Sequence, residues 1–158
     1  MEVMNKEISD TTQISKTGII KFKAFSKSQE IKYKGTAVYT VDLNKLNAGS
    51  ISYDEASDTV MIIIPHVEQS DIMVNEDDIE YGEVKNGVFT TKTLKLSPEE
   101  IGEVRKTAIA NMEEKLAEDK VSMQADDKAK KAVLDVYKPI IQSVSGTSKL
   151  VIAFEDEV

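Results

Sequence analysis

Through much of the first hundred residues, hydrophobic and polar positions alternate with a period of two, the mark of strands with one buried face. Residues 19–25 set Ile20, Phe22 and Ala24 on one side and Lys21 and Lys23 on the other. Residues 31–43 set Ile31, Tyr33, Ala37, Tyr39 and Val41 against Lys32, Lys34, Thr36 and Thr40. Residues 51–54, a polar turn at 55–58 and residues 59–65 predict a hairpin. Its second strand, Thr-Val-Met-Ile-Ile-Ile, is apolar without alternation, as expected of a strand covered on both faces. Residues 79–84 and 88–96 flank Lys85-Asn86-Gly87, and Asn-Gly readily supplies the two positive φ angles of a tight hairpin turn.

The period changes at Ser97. Ser97-Pro98-Glu99-Glu100 is a capping box: a serine N-cap, proline at the first helical position and glutamate three residues after the cap. Ile101, Val104, Ala108, Ile109, Met112 and Leu116 then recur at helical spacing, predicting a helix over about 98–119. A second helix over about 122–144 starts at Ser122, with Asp126 and Asp127 near the favourable end of its dipole. Ala125, Ala129, Ala132, Val133, Val136, Ile140 and Val144 form its expected buried stripe, and Pro139 is expected to kink or interrupt it. Asp126–Lys130 and Asp127–Lys131 are expected as exposed i,i+4 pairs. Ser145-Gly146-Thr147 ends the helix, residues 149–154 read as a final buried strand, and Glu155-Asp156-Glu157 as a solvated tail. The expected fold is α+β, one domain over residues 1–158: an antiparallel or mixed sheet, strand-rich over 1–96, with a C-terminal helical hairpin packed on one face.

Composition narrows the function classes. At 158 residues with 41% hydrophobic and 30% charged, the chain is a folded domain rather than a disordered segment. The net charge of −8 argues against nucleic acid, whose phosphates need a cationic surface. The absence of cysteine excludes disulfides, zinc–thiolate centres and a cysteine nucleophile. No apolar run approaches the ~20 residues of a membrane-spanning helix, and the first residues are too polar for a signal peptide. On this reading the protein is cytosolic, or a targeting segment has been removed.

Residues 33–46, Tyr-Lys-Gly-Thr-Ala-Val-Tyr-Thr-Val-Asp-Leu-Asn-Lys-Leu, are a strand ending in an Asp-Leu-x-Lys turn. Val-Met-Ile-Ile-Ile-Pro-His follows about twenty residues later, then Asp71-Ile-Met-Val, a hairpin, a helical region with spaced alanines and a hydrophobic last strand. In this order the chain resembles the bacterial domain-of-unknown-function family 4230, over roughly residues 1–155. The resemblance implies a domain outside the cytoplasm, tethered by one N-terminal transmembrane helix, with no assigned reaction and therefore no catalytic residue to carry over. This chain lacks that helix, and trimming after an anchor is the simplest reconciliation.

Few residues suggest chemistry. His66, the single histidine, follows Pro65 at a strand end, with Glu68 and Asp71 its nearest carboxylates in sequence. A surface or structural histidine is the default, since one histidine hardly builds a zinc hydrolase site. Glu76, Asp77 and Asp78 extend the acidic stretch, which lacks EF-hand spacing and reads first as a solvated loop. With His66, Glu68 and Asp71 they form the candidate metal cluster, set beside the reading that the chain holds no metal. Lys21, Lys23, Lys32 and Lys34 form a basic stripe if their strands pair; it is a solvent-facing sheet surface, or a patch for anionic headgroups if the implied anchor exists. No phosphate loop, dinucleotide motif or serine elbow occurs, so no cofactor and no catalytic residue is expected. The reading that follows is a non-catalytic binding or scaffolding domain whose partner is an unknown protein or cell-envelope component. The alternatives are a small carboxylate-dependent, metal-assisted hydrolase and a cytosolic adaptor.

Overall fold

The alternation at residues 31–41 is the backbone of the observed fold: Ile31, Tyr33, Gly35, Ala37, Tyr39 and Val41 are all buried, and every residue between them is partly or fully exposed. The computed structural model describes residues 1–17, 26–86, 96–118, 120–146 and 148–158. Within these, the chain is α+β, with nine strands and two helices. The strands are β1 (Glu2–Thr17), β2 (Ser26–Thr40), β3 (Ile51–Asp54), β4 (Thr59–Ile64), β5 (Glu68–Gln69), β6 (Met73–Val74), β7 (Glu80–Tyr81), β8 (Lys85–Asn86) and β9 (Lys149–Phe154). The helices are α1 (Pro98–Glu118) and α2 (Val121–Ser145). The expected strand at residues 19–25 and the second arm of the Asn-Gly hairpin, including Gly87, lie outside the described residues.

By internal contacts the chain divides into two units that are interleaved in sequence. One comprises Met1–Asn5, Val38–Asp71 and Asp119–Val158, the other Lys6–Ala37 and Ile72–Glu118.

In the first unit, β3 and β4 form the predicted hairpin, with Ile51 opposite Ile62 and Tyr53 opposite Val60. β9 adds to the other side of β4 in parallel, Thr59 opposite Lys149 through Ile64 opposite Phe154. Parallel neighbours need a crossover, and α2 leads directly into β9. Val60, Ile62 and Ile64 are buried with Ile152 and Phe154 against Ala129 and Val133 of α2. The other face of β4 (Thr59, Met61, Ile63) is less completely covered, so its unbroken apolar run hides an alternating burial.

Helix α2 departs from expectation in its start and in its buried stripe. It begins at Val121 after Lys120, whose left-handed backbone (φ 52°) turns the chain without a side-chain cap, rather than at Ser122. It runs through Pro139 to Ser145. Its buried stripe is Val121, Ala125, Ala129 and Val133, and it stops there. Val136, Ile140 and Val144 are 48, 53 and 82% exposed. Beyond Val133 the helix rests on Leu134, Tyr137 and Ile141 instead. Tyr137 and Ile141 continue the four-residue row of Val121, Ala125, Ala129 and Val133, whereas Val136 and Ile140 lie about 100° around the helix from them.

In the second unit, β2 has β1 on one side and β6, β7 and β8 in succession along the other, all three antiparallel to it. Sequence reading picks out no strand in residues 1–17 because the inward side of β1 mixes Ile8 with Asp10 and Thr12. The capping box of α1 forms as predicted: Ser97 N donates to Glu100 Oε2 at 2.7 Å, and Glu100 N to Ser97 Oγ at 3.3 Å. Ala108, Met112 and Leu116 are the buried face of α1. Gly35 makes room for that face, since a Cβ there would lie 2.5 Å from Ile72 Cγ2 and 3.2 Å from Met112 Sδ.

Two outcomes follow. Gly35→Ala forces Ile72 and Met112 out of place and lowers unfolding free energy by about 1–3 kcal/mol, measured by urea denaturation. Tyr33 and Tyr39 are equally buried. The Tyr39 hydroxyl donates to Gln69 at 2.7 Å, whereas that of Tyr33 finds no hydrogen-bond partner among the described residues. Tyr39→Phe therefore costs about 1 kcal/mol and Tyr33→Phe costs nothing or stabilises. Equal losses in the two variants would contradict this assignment.

Candidate functional site

His66 sits in the turn after β4, where Pro65 ends the strand and projects the imidazole from the rim of the sheet. Its partners are not its sequence neighbours. Nδ1 lies 2.8 Å from Asp126 Oδ2 in the first turns of α2, and Nε2 lies 3.1 Å from Asp156 Oδ1 in the 3-10 turn Glu155–Glu157 after β9. Asp126 Oδ1 also accepts the Val67 N–H at 3.0 Å. The imidazole stacks on Phe154, ring centroids 4.2 Å apart and planes 17° from parallel. Lys130 Nζ lies over the same phenyl ring, 4.6 Å from its centroid, and is paired with Glu157. Glu157 Oε2 in turn accepts the Phe154 N–H at 2.9 Å. Asp126 and Lys130 are thus paired away from each other, and the tail, exposed as expected, still bonds to His66 through Asp156 and to Lys130 through Glu157.

The hydrogen bond to Asp126 raises the His66 pKa above the ordinary 6.5, partial burial works against this, and the bond to Asp156 adds to it. With a carboxylate on each nitrogen, the favoured state is an imidazolium donating two hydrogen bonds. Such a ring has no nitrogen left to act as a base or to bind a metal. What the arrangement does is join three segments: the β4–β5 turn, α2 and the turn after β9. A cleft of 610 Å³ opens beside it, lined by His66, Lys45, Asn47, Ser50, Ile63 and Glu155 among others.

The other acidic candidates are engaged elsewhere. Glu68 pairs with Lys45 at 2.6 Å, and Asp71 is exposed. Glu76, Asp77 and Asp78 belong to the other unit. There they form a 3-10 turn capped by Asn75, with Glu76 bonded to Arg105 at 2.7 Å and Asp78 to Asn75 at 2.9 Å. Among the described residues, no group of three or more His, Asp or Glu is arranged to hold a metal ion. Of the lysine stripe, Lys21 and Lys23 lie outside the described residues. Lys32 and Lys34 share Glu80, which faces Lys32 across the β2–β7 ladder, at 3.6 and 2.5 Å. The Glu80 hydrogen bond raises the Lys34 pKa, and Lys34 lowers that of Glu80. One carboxylate thus answers two of the four charges.

Asp10 of β1 carried no sequence signal, yet it is 5% exposed. Lys115 Nζ donates to it at 2.6 Å, Asn111 Nδ2 and Thr12 Oγ1 at 3.1 Å each. Lys115 and Asn111 lie four residues apart on one face of α1, the single cue that the two act together. Burial pushes the Asp10 carboxyl up, but these three donors more than offset it and hold the pKa below the ordinary 3.8.

The molecule is therefore an α+β protein whose titratable groups of altered pKa act mainly as ties between elements. No helix among the described residues is long and apolar enough to cross a membrane. Residues 1–147 match the family model described as "Protein of unknown function (DUF4230)", and the chain belongs to that family. Neither the curated proteins nor the solved structures give a match.

Lys115→Met strands the buried Asp10 charge and should cost about 3 kcal/mol, while Asp10→Asn added to it restores part of the loss. A double-mutant cycle by chemical denaturation at pH 7 measures this. Because the folded-state pKa of Asp10 is lowered, its contribution is complete above 3.8 and is lost as pH falls through the folded value. The gap between the wild type and the double variant should therefore narrow towards pH 2. An unchanged gap would show that the Asp10 charge does not stabilise the fold.

Proposed function

We propose that this chain is a non-catalytic binding or scaffolding domain, tethered at a membrane outside the cytoplasm, whose partner is a protein or cell-envelope component. The observation that carries the binding reading is the stripe Val136, Ile140 and Val144 on α2, exposed on three successive turns. Apolar side chains aligned over successive turns differ from singly scattered ones, and contiguous exposed apolar surface marks interaction sites. Pro139 and Ser143 lie beside the stripe and are also exposed, so that part of the helix face carries no charge. A coating of charge would have been compatible with a merely solvated helix.

The non-catalytic reading is supported by the use made of His66, whose two nitrogens are occupied by Asp126 and Asp156. A carboxylate-dependent hydrolase built on residues 66–83 needs that ring free and carboxylates gathered beside it. Location outside the cytoplasm is supported by the family resemblance. A cytosolic adaptor would use the same helix face, so location is tested separately, by cleavage with protease added to intact cells.

A photo-crosslinking residue at position 140 should give a discrete adduct in cells at least tenfold stronger than one placed at the exposed Lys128. Ile140→Asp should abolish capture from a crosslinker at Val144 while changing stability by no more than about 0.5 kcal/mol. Equal labelling from positions 128 and 140 would overturn the binding reading.

A further inference from the structure

We propose that His66 is a proton-operated latch, holding Asp156 of the turn Glu155–Glu157 against the rest of the first unit when the ring is charged and releasing it when the ring is neutral. The argument is one of donor count. Both ring nitrogens face carboxylates, Asp126 at 2.8 Å and Asp156 at 3.1 Å. A carboxylate can only accept, and a neutral imidazole carries one N–H. The charged ring therefore satisfies both partners, whereas the neutral ring must turn a lone pair towards one of them.

The partner that loses is Asp156. The Asp126 side chain is 18% exposed against 71% for Asp156, so losing a donor costs Asp126 more, while water readily solvates Asp156. Asp126 is also fixed by the Val67 N–H. The proton stays on Nδ1, and Nε2 is left facing an anion. The charged groups around the ring sharpen the effect: Asp126 and Lys130 from α2, Asp156 and Glu157 from the turn after β9, with Glu155 and Lys45 lining the adjoining cleft. Lys45 is paired with Glu68, and Lys130 with Glu157. After release the turn keeps the Lys130–Glu157 pair and the bond from Glu157 to the Phe154 N–H. These ties anchor Glu157, so the segment that the ring's proton controls is Asp156 and its neighbour Glu155. Since Glu155 lines the cleft beside His66, release of this segment changes that cleft's wall.

Because the chain has one histidine, its titration can be followed without overlap. NMR of the intact chain would record the His66 ring shifts and the backbone order parameters of Asp156 and Glu157 between pH 5 and 9. The expected result is a drop at Asp156 from about 0.85 to below about 0.6, with the midpoint of the ring titration, while Glu157, still bonded to Lys130, and Val67 stay ordered. Asp156→Asn is the discriminating variant. Its amide can accept from the charged ring or donate to the lone pair of the neutral one, so the turn should stay ordered across the whole range. Order parameters that ignore the His66 titration, or a drop that persists in Asp156→Asn, would overturn the latch.

Discussion

The constraint on which most of this structure depends is the strict two-residue period of β2. Six consecutive inward positions, from Ile31 to Val41, are buried, and they supply both units. A one-residue slip would expose all six and bury Lys32 and Lys34 in their place. That penalty fixes the register against which β5, β6, β7 and β8 align. It also fixes the single position without a side chain, Gly35, beneath Met112 and Ile72. In the first unit β4 plays the corresponding part, its buried Val60, Ile62 and Ile64 shared between the β3 hairpin and the parallel β9.

The acidic excess of the chain has a different use from the one its sum suggests. A net charge of −8 describes the surface seen from a distance. Close up, several carboxylates act as joints between elements. Asp10 ties β1 to α1, Asp126 ties α2 to the turn after β4, and Glu80 bridges two lysines across a ladder. Buried or half-buried charges are tolerated only with partners that satisfy them. These joints therefore specify which segments meet, beyond whatever stability they add.

His66 shows how far along the chain a residue's partners can lie. A lone histidine after a strand-ending Pro65 invites a search for carboxylates nearby in sequence, and Glu68 and Asp71 are there. The carboxylates that bind it are 60 and 90 residues away. Two carboxylates on one imidazole make a clamp rather than a base, because they consume the lone pair that general-base catalysis requires.

Local rules settled from sequence alone what depends on local energetics. The Ser97–Glu100 box, the β3–β4 hairpin and the β2 alternation are contests among a few neighbouring residues, and each formed as its pattern predicts. The α+β class and the closing strand followed from the change of period at Ser97. Tertiary structure decided what local rules leave balanced. The polar inward face of β1 pairs with β2 as a strand, and its buried Asp10 is satisfied by Lys115 and Asn111 of α1. The α2 stripe was buried only as far as Val133, because its later turns rest on Leu134, Tyr137 and Ile141. The period of a helix says which residues share a face, but only the surface it meets determines how much of that face is covered.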